Sequence, residues 1–196
     1  MRRMLVTLAA IASTLSSVAA ARTDDAATSP DGRYRAWVKV ERPPAVDALD
    51  RGITSLWLTD IRTGARRMVV RGDNRPSPGA DSTAFWGPHF SMDGKSVYLS
   101  VVAGEVSAGT FRVDLRTGAR RFMTLGGGVV GVMRTGPYAG CLLVKQHRYW
   151  AKGGSYNPVL LLRHAGKQIM MIPGSDKDDG GGSVGRWLRT KGWRAS

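Results

Sequence analysis

Cysteine is nearly absent from this chain of 196 residues, because Cys141 is the only one. A single cysteine cannot form a disulfide within the chain, and it cannot supply the several thiolates of a cysteine-rich zinc site. Stability must therefore come from packing. Cys141 lies in the apolar run GCLLV (140–144), where we expect a small buried residue.

Long apolar runs and blocks of like charge are also missing. After the first 21 residues, no segment approaches the roughly 20 apolar residues of a membrane-spanning helix. The chain has 29 Lys and Arg against 15 Asp and Glu, a formal net charge of +14. A basic balance can indicate an anionic partner, such as nucleic acid, lipid or an acidic glycan. Because the positive residues are scattered, the pattern favours a well-charged surface, and we expect no nucleic-acid partner.

The first 21 residues have the pattern of a secretory signal peptide. Arg2 and Arg3 precede a short apolar segment (4–15), and residues 19–21 (AAA) provide an A-x-A cleavage site. We therefore predict an exported, periplasmic protein whose remaining residues form one domain. An N-terminal anchor that is not cleaved is the alternative.

Two motifs repeat in the same order along the chain. DIRTGARR (60–67) returns as DLRTGARR (114–121), and SPDG (29–32) returns as SMDG (91–94). Two motifs that repeat in step indicate an internal structural repeat.

Each repeated motif has the composition of a tight turn. Asp and Ser side chains accept hydrogen bonds from turn amides, and glycine adopts a positive φ without a steric penalty. We predict structural turn roles for Asp31, Gly32, Asp60, Gly64, Asp93, Gly94, Asp114 and Gly118.

Segments rich in β-favouring residues flank both motifs, as in YRAWVKV (34–40) and SVYLSVV (96–102). Each repeat therefore predicts a strand, an SxDG turn, a strand, a connection, a strand, an RTG turn and a strand. That order is a four-stranded antiparallel meander. A third unit (126–173) keeps the order of elements without the SxDG letters. The first unit has a longer connection, RPPAVDALDRG (42–52), in which two prolines bar strand pairing.

The second repeat, FSMDGKSVYLSV (90–101) followed by TFRVDLRTGARRFMTL (110–125), resembles the TolB-type, WD40-like blade of bacterial β-propellers. SPDGRYRAWV and LWLTDIRTGARRMV in the first repeat match the same pattern. The resemblance implies an all-β fold, a partial propeller of about three blades within residues 22–173. The blades would span about 28–72, 84–125 and 126–173.

The chain departs from TolB, which has an α/β domain ahead of a six-bladed propeller. Three meanders leave open sheet edges, which invite pairing with another chain. A second chain could complete a ring, the C-terminal tail could cover an edge, or the three sheets could pack as a partial propeller or a bent, barrel-like stack. We expect a partial propeller with some self-association.

The resemblance implies a non-enzymatic binding or scaffold protein, whose partner is another envelope protein or a second copy. The alternative is an accessory or remnant propeller of a prolyl-oligopeptidase-like hydrolase that lacks its catalytic domain. That alternative rests on fold analogy alone.

Residues 174–196 form a separate element. SDKDDGGGS (175–183) has the composition of a flexible linker. Val184 and Trp187 lie on one apolar face of a predicted short amphipathic helix over 184–194. We expect this helix to dock onto the domain. A weak contact with an anionic membrane surface is the alternative.

Three motifs suggest chemistry but lack its context. GGGVVG (126–131) matches a dinucleotide-binding pattern, yet strands are predicted on both sides of it. GGSVG (181–185) matches a nucleophile elbow, yet no histidine follows Ser183. DKDDGG (176–181) lacks two of the calcium ligands that its pattern needs. We predict no catalytic residue, no metal and no cofactor.

Candidate ligand-binding residues are His89, Trp86 and Arg51. The first two lie in the first strand of the second blade, and such strands line the central channel of a propeller. Arg51 lies in the 42–52 insertion.

The recognition surface would be formed by the loops 42–52, 72–88 and 103–109. Four tryptophans in or beside strands are expected to pack between sheets: Trp37, Trp57, Trp86 and Trp150. One or two of them at an exposed rim would mark a binding surface.

Overall fold

The structure is a computed structural model that describes residues 25–42, 52–72, 76–77, 80–81, 84–103, 107–125, 127–177 and 181–196. Three four-stranded antiparallel sheets follow one another along the chain, and a short helix comes after them. Within each of these sheets, strands pair in the order in which they occur along the chain, apart from the small hairpin inserted in the third. The predicted all-β class with a short C-terminal helix is therefore confirmed.

The first sheet contains β1 (Ala26–Thr28), β2 (Tyr34–Arg42), β3 (Ile53–Asp60) and β4 (Arg66–Arg71). A two-stranded ribbon follows, β5 (Pro76–Ser77) and β6 (Ala80–Asp81). The second sheet contains β7 (Phe85–Phe90), β8 (Ser96–Ala103), β9 (Ser107–Asp114) and β10 (Arg120–Leu125). The third contains β11 (Gly127–Val132), β12 (Leu142–Gln146), β15 (Val159–Leu162) and β16 (Gln168–Met171). A hairpin of β13 (Arg148–Tyr149) and β14 (Ser155–Tyr156) lies between β12 and β15, and the helix α1 is Gly181–Lys191.

The SxDG motifs form the turns between the first two strands of the first and second sheets. Asp31 Oδ1 accepts the hydroxyl of Ser29 at 2.5 Å and the amide of Arg33 at 3.1 Å. Ser91 and Asp93 repeat both bonds at 2.6 and 3.0 Å. Gly32, with φ of 72°, supplies the left-handed backbone that closes the turn.

The RTG motifs form the turns between the third and fourth strands. Asp60 Oδ1 accepts the amides two and three residues further on, both at 3.0 Å. Asp114 makes the same two bonds at 3.0 and 2.8 Å. Gly64 and Gly118 both have φ of 72°. The near identity of the two octapeptides thus reports one shared turn geometry.

Both kinds of turn lie side by side at one end of the first sheet and of the second. The amide of Ile61 donates to the carbonyl of Arg33 at 2.8 Å, and that of Leu115 donates to Lys95 at 3.0 Å. We call this end of the sheets the turn end. The opposite end, where the second strand of each sheet leads to the third, is the connection end.

The sheets pack on one another through alternate strand residues. Val97 and Leu99 of β8 belong to a buried cluster with the first sheet, whereas Tyr98 between them belongs to a cluster with the third. The first cluster also contains Leu56, Leu58, Phe90, Phe111 and Val113, and the second contains Val132, Leu142, Val144 and Leu160. Because the second sheet is buried on both faces, β8 is apolar along most of its length rather than alternating between apolar and polar residues.

Buried polar groups also join the sheets. Thr54 Oγ1 accepts the amide of Phe85 at 2.8 Å, across the boundary between the first and second sheets. Ser100 Oγ accepts the amide of Val129 at 3.0 Å, across the next boundary. These hydroxyls lie where an unpaired polar group would be costly, and each has a partner.

Helix α1 begins at Gly181, three residues earlier than predicted, and ends at Lys191. Gly192 has φ of 65°, and the amide of Trp193 donates to the carbonyl of Leu188 at 2.9 Å. This is a Schellman ending, in which glycine permits the reversal that the last carbonyls need.

The helix docks on the face of the third sheet that points away from the second sheet. Val184 and Trp187 are buried against Leu143, Leu161 and Ile172. The predicted docking of the helix is therefore confirmed, and the apolar face that a membrane contact would use is occupied by the sheet. In the part of the chain that the structure describes, no helix is long and apolar enough to cross a membrane.

After the helix, the tail runs antiparallel along β11. Val132 and Ser196 exchange backbone hydrogen bonds at 3.1 and 3.0 Å, and the amide of Arg134 donates to the carbonyl of Arg194 at 2.7 Å. The tail thus covers the end of the β11 edge of the third sheet, and coverage of an edge by the tail is one of the three arrangements considered from the sequence. Helix α1 therefore occupies the face of the third sheet on which a further blade would pack.

The segment before the helix differs from the predicted flexible linker. Ser175 is fully buried, and its Oγ accepts the amide of Val159 at 3.0 Å and donates to the carbonyl of Ile172 at 2.7 Å. Residues 173–177 therefore form an ordered turn against the third sheet, while 178–180 lie outside the described residues.

Two other expectations differ from the structure. The predicted loop 103–109 is mostly strand, because β8 extends to Ala103 and β9 begins at Ser107. Cys141 is half-buried rather than buried, since it lies in the turn just before β12.

Candidate functional site

The C-terminal tail reaches the predicted channel residue His89. The Nδ1 atom of His89 lies 3.2 Å from the carbonyl oxygen of Ser196. Burial lowers the pKa of His89 from its ordinary value, and the hydrogen bond to Ser196 opposes this effect. His89 thus has a structural contact within the chain, and its role in binding a ligand stays a prediction.

Of the other two predicted ligand residues, the structure describes only Trp86. Trp86 lies on the same strand but pairs with Ser100, and a register shift separates it from His89. Arg51 lies outside the described residues, as does most of the 42–52 insertion.

Trp150 is the exposed tryptophan, with 48% of its surface accessible. Trp37 and Trp57 are half-buried and stack at 5.8 Å between ring centroids. Their Nε1 atoms donate to Thr59 and Ser55 of the same sheet. The expected rim tryptophan, which the sequence did not single out, is therefore Trp150.

Trp150 belongs to a small hairpin that interrupts the third sheet. β12 ends at Gln146, and residues 147–157 then form a separate hairpin, which we call the aromatic hairpin. At its tip, the amide of Trp150 donates to the carbonyl of Gly154 at 3.0 Å. Gly153 and Gly154 have φ of 92° and 84°, which only glycine adopts easily, so the GG pair permits this tip.

Ring contacts fix the side chains of the aromatic hairpin. Trp150 stacks on Tyr156 with 3.9 Å between ring centroids and an interplanar angle of 17°. His147 meets Tyr149 edge to face at 4.9 Å, and His147 Nδ1 lies 2.9 Å from Asn157 Oδ1. Tyr149 remains 69% exposed. The hairpin therefore presents large aromatic surface whose orientation is already set.

The base of the aromatic hairpin is tied to the second and third sheets. Arg148 donates from Nε and Nη2 to Gln146 Oε1 at 3.1 and 3.0 Å. Gln146 Nε2 donates in turn to Thr124 Oγ1 at 2.9 Å and to the carbonyl of Leu125 at 3.0 Å. This chain of polar contacts holds the hairpin at the connection end of the sheets.

Other described residues lie at the connection end. β2 and β8 end there, and β3 and β9 begin there, at the same end as the aromatic hairpin. Leu125, at the end of β10, is also exposed. Arg148 and Lys152 add positive charge to the hairpin.

The motifs that suggested catalysis lie in other settings. Ser183 is 2% exposed and sits in the first turns of α1, not at a strand-to-helix turn. Gly127 to Gly131 of the dinucleotide-like motif lie in β11, between two strands. In the described ranges, no group of three or more His, Cys, Asp or Glu side chains could hold a metal ion.

Comparison with solved structures identifies the fold. TolB from Acinetobacter baumannii superposes with a TM-score of 0.51 at 20% sequence identity, over 77% of this chain and 32% of that chain. The β-propeller domain of the Trilobed protease from Pyrococcus furiosus gives a TM-score of 0.49 at 15% identity, over 75% of this chain and 40% of that one. No protein-family model and no curated protein sequence matches the chain.

The chain spans about a third of the length of the TolB structure that it matches. The likeness to TolB, together with the three antiparallel four-stranded sheets, confirms a TolB-like partial β-propeller. At 20% identity it is a likeness of fold.

Proposed function

We propose that this TolB-like partial propeller is a non-enzymatic binding or scaffold protein, exported to the periplasm, and that the aromatic hairpin contacts its partner. The observation that carries the proposal is the exposure of Tyr149 and Trp150 on a preformed hairpin. Tyr and Trp are enriched among the residues that dominate binding energy at protein interfaces.

The rigidity of the hairpin favours binding. Trp150 is stacked on Tyr156, and Tyr149 is held edge to face by His147. Because these rings are ordered in the free protein, little conformational entropy would be lost on association. Adjacent exposed aromatic side chains reduce solubility, and contiguous apolar surface of this kind often marks a site of contact with a partner.

Charge favours a partner with an acidic rim. Arg148 and Lys152 flank the exposed rings, and the whole chain has a net charge of +14. Opposite charge on the partner would speed association and set its orientation. We therefore propose an envelope protein with an apolar groove bordered by Asp and Glu.

The hydrolase alternative has less support. It requires a catalytic partner subunit, and Ser183, which resembled a nucleophile, is buried in α1. Its remaining basis is the general likeness between propellers of peptidases and this fold.

Affinity capture tests the proposal. The tagged protein, its Trp150→Ala variant and its Ile61→Ala variant would be expressed in the envelope and recovered at physiological salt. Ile61 is a matched control because it is 51% exposed but lies at the turn end. We expect Trp150→Ala to weaken the captured complex by about 2 kcal/mol, roughly 30-fold in Kd, and Ile61→Ala to leave it unchanged.

Two results would contradict the proposal. One is equal capture by the wild type and by Trp150→Ala. The other is a reporter enzyme that stays in the cytoplasm when it is fused after residues 1–21, since the proposal requires export.

A further inference from the structure

A pocket of about 300 Å³ opens at the turn end, between the second and third sheets. It lies at the opposite end of the sheets from the aromatic hairpin. Its walls come from the SMDG turn, from β8 and β9, and from two turns of the third sheet. The lining residues are Ser91, Met92, Asp93, Tyr98, Arg112, Gly140 and His164.

Tyr98 is the most informative residue of this pocket. Its ring is packed in the cluster between the two sheets, and the residue is only 1% exposed. Among the described residues, no group hydrogen-bonds its hydroxyl. A packed tyrosine usually has a hydrogen-bond partner for its hydroxyl, and Tyr98 lines the pocket. The pocket is the place from which a ligand could supply that partner.

Arg112 stands beside Tyr98 on the neighbouring strand, as its direct register partner. Its Nε donates to Ser96 Oγ at 3.0 Å, which orients the guanidinium. Its two terminal nitrogens make no hydrogen bond with any described residue. Two oriented N–H donors next to a hydroxyl suit the two oxygens of a carboxylate.

Asp93 supplies an acceptor on another wall. Its Oδ1 accepts Ser91 Oγ at 2.6 Å and the amide of Lys95 at 3.0 Å. Within the described ranges its other carboxylate oxygen makes no hydrogen bond, and Asp93 forms no ion pair with Arg112. Both charges are therefore available to a ligand that carries an acceptor and a donor.

The surroundings favour a ligand with a negative group. Lys95 adjoins Asp93, and Arg134 contacts Met92 Sδ at 3.6 Å and the carbonyl of Phe90 at 3.4 Å. Three cationic side chains, Lys95, Arg112 and Arg134, therefore lie at or near the pocket, whereas Asp93 is the one carboxylate among the residues that line it. Met92 provides an apolar wall, and Gly140 leaves room beside it.

We propose that this pocket binds a small carboxylate that carries a hydrogen-bond donor on the adjacent carbon, as a free α-amino acid or the C-terminal residue of a peptide does. Arg112 and the Tyr98 hydroxyl donate to the carboxylate, and Asp93 accepts from the ammonium or amide N–H. The Met92 wall faces a small side chain. This site is independent of the aromatic hairpin, so either can fail without the other.

Titration of the isotope-labelled protein by NMR tests the proposal with four probes. L-alanine and N-acetyl-L-alanyl-L-alanine have both the carboxylate and the donor, propionate lacks the donor, and L-alaninamide lacks the carboxylate. We expect shifts at Tyr98, Arg112 and Asp93 with at least one of the first two probes. Propionate should bind at least 10-fold more weakly, and L-alaninamide should not bind. Tighter binding of L-alanine would assign the site to free amino acids, and tighter binding of the acetylated dipeptide to chain termini.

Two variants test the assigned roles. Tyr98→Phe keeps the packed ring and should weaken binding about 10-fold, and Arg112→Gln should weaken it about 30-fold or more. Tyr34→Phe and Arg116→Gln are the matched controls, because both residues lie outside the pocket, and they should bind as the wild type does. If Arg112→Gln does not fold, the Tyr98→Phe variant and the four probes still test whether the pocket binds a carboxylate. The proposal is overturned if neither complete probe binds, if propionate binds equally well, or if folded Tyr98→Phe binds like the wild type.

Discussion

The backbone of Gly131 lies directly beneath the carbonyl oxygen of Ser196, so closely that a β-carbon at Gly131 would clash with it. A second glycine, Gly136, lies in the same way against the ring of Trp193. The tail therefore runs along β11 and the turn after it, on a path that two glycines leave open. This contact explains how a chain of three sheets covers an edge that would otherwise be exposed.

Gly131→Ala should destabilise the protein by about 1–3 kcal/mol, because the new methyl group must push the tail away from β11. Urea unfolding, with the slope compared between variant and wild type, measures this cost. Unchanged stability would mean that the tail is not held against β11 in solution.

Gly185→Ala provides a contrast in the same part of the chain. Gly185 lies inside α1, and its added β-carbon would meet only the end of the flexible Arg189 side chain, at 3.3 Å. Because alanine favours a helix over glycine by about 0.5–1 kcal/mol, we expect stability to increase. Thermal unfolding would check the sign, and a lower Tm would contradict the helix bounds or the space around Gly185.

The docked helix should keep the protein monomeric. Trp187 covers Leu143 and Leu161 on the far face of the third sheet, so a chain that lacks residues 181–196 would expose that face. Light scattering of the purified protein should therefore give the mass of one chain, and the truncated chain should give a larger mass. A stable dimer of the full chain would contradict this prediction and would support the self-association expected from the sequence.

The four turn aspartates should make stability depend on acid pH. Hydrogen bonds from turn groups hold the pKa values of Asp31, Asp60, Asp93 and Asp114 below their ordinary value of 3.8. Serine hydroxyls are the main cause at Asp31 and Asp93, and the amides of Thr63 and Thr117 are the main causes at Asp60 and Asp114.

Because these pKa values are lower in the folded state, the stabilisation is complete above pH 3.8 and is lost as pH falls through the folded values. Unfolding midpoints measured below pH 3.8 should therefore decrease with pH. Asp114→Asn keeps an acceptor oxygen but no titrating group, so its decrease should be shallower. An equal slope in wild type and variant would contradict this origin of the acid sensitivity.

The turns and the meander could be predicted from sequence because their causes are local. Asp60 and Gly64 recur with Asp114 and Gly118 at fixed spacing, and one turn geometry satisfies both copies. The third sheet could be predicted from the order of its elements even without the SxDG letters.

The surfaces could not be predicted in the same way, because they depend on contacts between distant segments. Nothing local distinguishes Trp150 from Trp57, although one is exposed and the other packs within its sheet. The GG pair at 153–154 is typical of the tip of a hairpin, but it is equally typical of a loop, so it does not predict the aromatic hairpin by itself. The pocket joins Tyr98, Arg112 and His164 from two sheets, and only the packing of those sheets brings them together.

Site-specific photo-crosslinking tests the central claim most directly. A photoreactive phenylalanine derivative would replace Tyr149 in one variant and Ile61 in the other, since both residues are exposed but lie at opposite ends of the sheets. After irradiation of intact cells, we predict a discrete adduct with an envelope protein from position 149 and none of that mass from position 61. No adduct from position 149, or the same adduct from both positions, would contradict a binding role for the aromatic hairpin.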